Sequence, residues 1–320
     1  MEWKNLYLLL LLLLPGIASA QKIDNLVSFR DMNSDRYFRF TYENDYFAAA
    51  DENYTQGYNI ELVLPVFQKN PVNYVFFKPK GKIYKYGVSV EHIGYTPNDY
   101  VSTEIQFGDR PFASAIMLKS FTIATDTTKK TRLSQSLSLG LIGPGAFGKE
   151  MQVEIHRATG NKIPGGWDNQ IKNDVVLNYR IDHEKQVWNY RNTVAMQTNT
   201  TLQLGTLFTH ATVGINTTIG LLNAPFSSVG KRNAFQLYAY AQPLVSVIGY
   251  DATLQGGLLN RKSVYTIASE DMERFTAHFH YGIVLKTRTL YFEYARTNIT
   301  REFETGNSAK WGGIKIGFTI

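Results

Sequence analysis

Stretch after stretch of this chain alternates between apolar and polar residues, and a period of two commits those stretches to β-strands. Phe38, Phe40 and Tyr42 alternate with Arg39, Thr41 and Glu43, and Tyr58, Ile60, Leu62 and Leu64 flank Asn59 and Glu61. Tyr86, Val88 and Val90 alternate with Gly87, Ser89 and Glu91, and Leu133, Leu137, Leu139 and Leu141 with Ser134, Ser136, Ser138 and Gly140. Val175, Leu177, Tyr179 and Ile181 are set against Asn178, Arg180 and Asp182. Phe275, Ala277, Phe279, Tyr281, Ile283 and Leu285 face away from Arg274, Thr276, His278 and His280. A soluble sandwich also alternates, so length decides. Many of these runs exceed the ~5–6 residues of a soluble strand and suit the ~9–11 that cross a bilayer.

The aromatic load agrees with that reading, since 20 Tyr and 19 Phe suit a barrel with an apolar outer band. Residues 1–20, MEWKNLYLLLLLLLPGIASA, combine a lysine, a leucine run and an Ala-Ser-Ala end, the form of a secretory signal. Beyond them no segment approaches the ~18 uninterrupted apolar residues of a spanning helix. There is no cysteine, so the exported domain, residues 21–320, must hold without disulfides. The net charge of +6 is spread over the chain. That scatter marks no nucleic-acid groove, although cationic groups could help hold an anionic lipid.

About a dozen strands follow, an even number as bacterial barrels require. Their expected cores are 37–44, 54–64, 83–95, 111–124, 132–142, 174–186, 192–204, 208–221, 234–249, 273–286, 289–300 and 310–320. The chain closes on Ile314, Ile316, Phe318 and Ile320, which share one face of a terminal strand like those of outer-membrane barrels. With both termini at the periplasm, the outward connections are 45–53, 96–110, 143–173, 205–207, 250–272 and 301–309. The expected fold is thus all-β, a transmembrane antiparallel barrel with a short helix in one outward loop.

The polar motifs gather on that outward side. Asn44-Asp45 ends the first strand, and Tyr54-Thr55 begins the second. Asn44 could donate to an oxyanion, Asp45 could hold a metal ion or orient a base, and Thr55 could position the substrate. Taken alone they are equally a strand-to-turn corner, where Asn and Asp are common for local hydrogen-bonding reasons. Gly148 to Thr159 is rich in helix formers, with Met151, Ile155 and Ala158 at helical spacing. Gln152 precedes His156 by four residues, so the two share a face. An imidazole, which ordinarily titrates near neutrality, suits general-base activation of water, although most histidines on such helices are surface residues. Arg110, in Gly108-Asp109-Arg110-Pro111, could bind a phosphate or sugar oxygen, or form a structural pair with Asp109. His210, His278 and His280 lack partners at useful spacing and read as wall or rim residues. No G-x-S-x-G, no H-E-x-x-H and no thiol nucleophile is present.

Glu43-Asn44-Asp45-Tyr46-Phe47, Asp51-Glu52-Asn53-Tyr54-Thr55-Gln56-Gly57 and the run from Gly143 through Pro144, Ala146, Gly148, Glu150 and Gln152 to His156 resemble the motifs of the outer-membrane lipid A 3′-O-deacylase (LpxR-like) family. Trp167 and Gln170 match the family's downstream W-x-x-Q. The resemblance implies a hydrolase of the outer membrane that removes an ester-linked 3′ acyl or acyloxyacyl chain from lipopolysaccharide. It implies His156 as base, Asn44, Asp45 and Thr55 beside it, Ca²⁺ as cofactor with Asp45 a metal ligand, and Arg110 and Gln152 toward substrate. A monomer with lipid A as partner and no nucleic acid is expected. Family members can carry a lysine in the second outward loop, whereas Pro97 to Gly108 here holds neither Lys nor Arg. The competing readings are a porin-like or adhesin barrel without enzymatic activity, and an outer-membrane phospholipase.

Overall fold

The computed structural model describes residues 23–48, 54–226 and 234–320. The signal sequence expected at 1–20 lies outside the described residues. Twelve antiparallel strands close into one barrel, each paired with its neighbours in sequence and the last with the first. They are β1 (Tyr37–Asn44), β2 (Tyr54–Val63), β3 (Ile83–Tyr95), β4 (Ala113–Asp126), β5 (Thr131–Ile142) and β6 (Asp174–Tyr190). The remainder are β7 (Val194–Gly205), β8 (Phe208–Leu221), β9 (Gln236–Asp251), β10 (Phe275–Lys286), β11 (Leu290–Ile299) and β12 (Ala309–Thr319).

Most boundaries fall within two residues of the expected cores, and two of the shifts have a plain physical cause. β4 begins at Ala113 rather than 111, because Pro111 has no N–H to give the ladder. β6 continues to Tyr190 through an irregularity between Gln186 and Trp188, which leaves the stacked rings of Trp188 and Tyr190 half-exposed. Such rings suit a membrane–water interface.

The barrel is inverted relative to a soluble protein. Leu118, Leu139, Leu204, Val213 and Ile283 face outward and are exposed, whereas Arg39, Glu61, Glu91, Lys119, Arg180, Asp182 and Lys315 face inward and are buried. The inward charges neutralise one another: Arg39 meets Glu61 at 2.7 Å, Lys315 meets Glu43 at 3.0 Å, and Lys119 pairs with Glu91. Only a surrounding hydrocarbon phase makes this arrangement favourable, because in water the outer leucines would lie exposed.

Residues 23–35 do not continue the sheet but fill the lumen from the end where the chain termini lie. Glu184 accepts from the backbone N–H of Ser28 at 2.8 Å and Glu293 pairs with Arg30 at 2.9 Å. Lys286 donates to the Phe29 carbonyl at 3.0 Å, as does the Tyr238 hydroxyl, and Arg39 donates to the Arg30 carbonyl at 2.7 Å. Asp24 meets Arg180 at 2.6 Å. Wall side chains thus supply the partners that a segment with only one short 3₁₀ turn, Ser28–Arg30, would otherwise lack.

Candidate functional site on the outer wall

Strand alternation splits the first polar corner in two. Glu43 points into the lumen, where Lys315 and the Trp311 indole donate to it, so its task is structural. Asn44, one residue on, shares the outer face with Phe40 and Tyr42, and its amide donates to the Tyr42 hydroxyl at 3.3 Å. Asp45 is buried and heads a short turn, Asp45–Ala48. That turn folds outward over β12 and β11: the Phe47 carbonyl accepts from Arg296 at 2.7 Å and from Tyr294 at 3.2 Å. Gly312 makes this approach possible, since a Cβ there would sit 2.7 Å from Phe47 Cβ. The backbone of Thr55 enters β2 beside an irregularity between Tyr54 and Gln56. Its side chain lies outside the described residues.

The second half of the site is the loop 143–173. Its helix, α1 (Gly148–Thr159), ends at Gly160, whose φ of +73° a side chain would strain. The buried residues of α1 are Gly148, Gln152 and His156, one turn apart along a single face. Sequence spacing pointed to Met151, Ile155 and Ala158 as the apolar stripe. The first two are only half-buried and Ala158 is exposed. The helix therefore turns its polar pair inward. Gly148 is wedged against β4, where a Cβ would lie 2.4 Å from Ser114 Cβ and 2.8 Å from the Trp167 ring. Gln152 accepts from the Trp167 indole N–H at 2.6 Å, and Trp167 packs on Phe112. His156 Nδ1 lies 2.6 Å from the Lys162 carbonyl oxygen, and the Tyr100 ring meets the imidazole edge-on at 5.5 Å. A carbonyl can only accept, so Nδ1 carries the proton and Nε2 is the basic nitrogen.

His92 received no role from the sequence. It lies on the outer face of β3, stacks on Tyr58 at 5.0 Å and is fully buried, with Nε2 2.9 Å from the Ala146 carbonyl. It thereby pins the start of the helical loop to the wall. The available signal was a histidine at an apolar-facing position of a lipid-side strand. The second outward loop completes the packing: Gly165 N–H donates to the Tyr100 carbonyl at 3.0 Å and Asn169 to the Thr103 carbonyl at 2.9 Å. On the exposed surface, the Lys149 ammonium, 2.6 Å away, bonds to Asp168 and holds its carboxyl below the ordinary range. That pair is solvated and adds little to stability.

Arg110 is not part of this surface. It is 1% exposed, donates to Glu302 at 2.9 Å and to Thr253 Oγ1 at 3.4 Å, and lies 4.1 Å over the Tyr95 ring. Its partner is Glu302 rather than Asp109, and both terminal nitrogens are engaged in tying the loops together. His210, His278 and His280 line a cavity of about 60 Å³ inside the lumen. His278 and His280 stack at 5.3 Å, and His280 Nδ1 meets Thr297 Oγ1 at 2.7 Å. They are wall residues of the interior. Among the described residues no three His, Asp or Glu side chains converge to hold a metal ion. Asp45 therefore supplies at most a small part of the six to eight oxygens Ca²⁺ takes.

Fold and site together define an outer-membrane β-barrel whose candidate chemistry sits on the lipid-facing wall at the rim, under a loop helix, with the lumen filled. The family model "Outer membrane protein LpxR" matches residues 6–320, and the chain belongs to that family. It resides in the bacterial outer membrane. Among solved structures, LpxR from Salmonella typhimurium aligns with 89% of this chain and 100% of its own at TM-score 0.71 and 17% identity, a likeness of fold. The β domain of the Bordetella autotransporter BrkA aligns with 89% of this chain and 99% of its own at TM-score 0.48 and 7% identity. The transport unit of the Escherichia coli autotransporter AIDA-I aligns with 92% of this chain and 93% of its own at TM-score 0.42 and 9% identity. No curated protein sequence matches the chain significantly.

Proposed function

We propose that this chain is a lipid A deacylase that hydrolyses an ester-linked 3′ acyl or acyloxyacyl chain of lipopolysaccharide. The observation that carries the reading is His156: a histidine buried on a rim helix, its Nδ1–H held by the Lys162 carbonyl, its tautomer set for base chemistry. Lipopolysaccharide forms the leaflet on that side, so the scissile ester reaches the wall laterally. In the proposed reaction His156 Nε2 takes a proton from water as the water oxygen bonds to the ester carbonyl carbon. The Asn44 amide donates to the oxyanion that forms, exchanging its long bond to Tyr42. Collapse breaks the bond to the sugar oxygen, and His156 returns the proton to that oxygen. Free fatty acid and a sugar hydroxyl result. Gln152, braced by Trp167, holds the helix face that presents His156, and Thr55 positions the substrate. Ca²⁺ dependence is a separate part of the reading, with Asp45 its ligand.

The filled lumen speaks against a porin, since residues 23–35 occupy the path a solute would take. A phospholipase would use the same ester chemistry, so substrate decides. The test is mass spectrometry of lipid A from cells with and without the protein, beside purified protein offered lipopolysaccharide or phosphatidylethanolamine. Loss of one acyl chain from lipid A is expected. His156→Ala, still showing heat-modifiable gel migration, should lose ~10²–10⁴-fold in rate. A folded His156→Ala variant with near-parental deacylation would overturn the assignment, and release of fatty acid from phosphatidylethanolamine alone would make the chain a phospholipase.

A further inference from the structure

The periplasmic connection between β2 and β3 is long for a barrel turn, and it does not hang in water. Residues 64–82 fold back onto the outer wall as two short 3₁₀ turns, Pro65–Lys69 and Pro71–Val75, followed by an extended stretch. The wall receives them through polar side chains that an all-lipid face would not carry. Ser120 of β4 accepts from the Asn70 amide at 3.1 Å. Gln135 of β5 forms a two-way bond with the Phe77 backbone, at 2.9 and 2.7 Å. The Tyr179 hydroxyl of β6 donates to the Val75 carbonyl at 3.3 Å. Ser120, Gln135 and Tyr179 are flanked on the same outer face by exposed Leu118, Leu139 and Leu177. Ser120 stands six residues from Asp126, the periplasmic end of β4. That is about 20 Å along the strand. The arm thus lies within the inner, phospholipid leaflet.

Its outward surface is apolar and cationic together. Tyr74, Phe77, Val66 and Val75 are 91, 68, 60 and 54% exposed. Between Glu61 and Glu91 the chain has no acidic residue, yet it has Lys69, Lys78, Lys80, Lys82 and Lys85. Lys82 and Lys85 are matched by Asp126 and Asp31. Lys69, Lys78 and Lys80 are exposed and form no ion pair among the described residues, and the Lys78 ammonium sits 6.0 Å over the Tyr74 ring.

We infer that this arm is a binding surface for anionic phospholipid of the inner leaflet. Acyl chains pack against Val66, Tyr74, Val75 and Phe77, and the phosphate is held by Lys69, Lys78 and Lys80. Apolar residues rimmed by unmatched lysines match an amphiphile with a negative head; a second copy of this chain would set the same lysines against each other.

The test puts a reporter on the arm of the full chain. Tyr74→Trp, with Phe77→Trp as the second position, is reconstituted in vesicles containing phosphatidylglycerol or phosphatidylcholine brominated in the acyl chains. The unsubstituted protein gives the baseline from its own tryptophans, and heat-modifiable migration confirms folding. Quenching above baseline is expected in both lipids. It should be stronger by more than about threefold in phosphatidylglycerol. The preference should vanish with Lys69→Glu, Lys78→Glu and Lys80→Glu combined. Quenching no greater than baseline at both positions, or equal quenching by the two lipids, overturns the inference. Deacylation is not part of the readout, so the result stands apart from the proposed activity.

Discussion

Removing the Arg30 side chain tests whether the lumenal segment is part of the folded barrel's stability. Arg30 donates through Nε to both oxygens of Glu293 at 3.0 Å, and it lies 4.8 and 5.2 Å from the rings of Phe29 and Tyr240. Glu293 is 0% exposed. Arg30→Ala therefore leaves a carboxylate in the interior without its main counter-charge, a loss of about 3–5 kcal/mol. The Tyr240 and Tyr291 hydroxyls still donate to Glu293, at 2.6 and 2.5 Å, which favours the lower end of that range. For a domain of this size 1 kcal/mol corresponds to roughly 2–4 °C, so the transition should fall by about 6–12 °C. The assay is the temperature at which half of the folded gel band converts. Arg30→Met combined with Glu293→Gln buries neither charge, and should cost less than the two single losses added together. A transition for Arg30→Ala within about 1 °C of the parent, or strict additivity in the double variant, would refute the claim that this pair fixes the segment.

Two further outcomes are expected. Chelation should abolish deacylation and added Ca²⁺ restore it, with Asp45→Ala requiring more Ca²⁺; activity indifferent to chelator would remove Ca²⁺ and the metal role of Asp45 together. His92→Phe keeps the stack on Tyr58 but loses the bond to the Ala146 carbonyl, worth ~1 kcal/mol or about fivefold; it should slow deacylation by that order and expose the 143–173 loop to protease, and unchanged loop protection would show that His92 does not hold it.

The strands were legible because alternation is a local property: Phe38 to Glu43 and Phe275 to Leu285 announce their two faces without reference to the rest of the chain. What pairs across long separations was not. Arg110 lies next to Asp109 in sequence, yet its carboxylate is Glu302, brought to it only when the barrel closes. Residues 23–35 carry neither period, because beyond the single 3₁₀ turn Ser28–Arg30 the segment is held by wall side chains such as Glu184 and Lys286 rather than by a repeating ladder. The arm at 64–82 reads as an ordinary turn-rich connection until Ser120, Gln135 and Tyr179 are seen beneath it. At α1 the apolar spacing named the wrong face, since Gln152 and His156 are buried where a purely structural helix would bury Met151 and Ile155. Departures of that kind gather where a chain keeps polar groups for a task other than stability.

The placement of the site follows from the same alternation that builds the barrel. Glu43 and Asn44 are adjacent, so one must face the lumen and the other the lipid. Glu43 is consumed by Lys315 and Trp311, which locks β1 to β12 at the very edge where the sheet closes on itself. Asn44 is thereby presented outward from a backbone that cannot shift without breaking a buried ion pair. On the other side, His92 fixes the helical loop through the outer face of β3, while the inward neighbour Glu91 pairs with Lys119. Charge-filled interior and site-bearing exterior are thus two sides of one wall. A barrel with a water-filled lumen would give up the buried pairs that hold Asn44 and the loop of His156 in place. For a substrate whose acyl chains never leave the membrane, no lumen is required; rigidity of the wall is, and the packed interior supplies it.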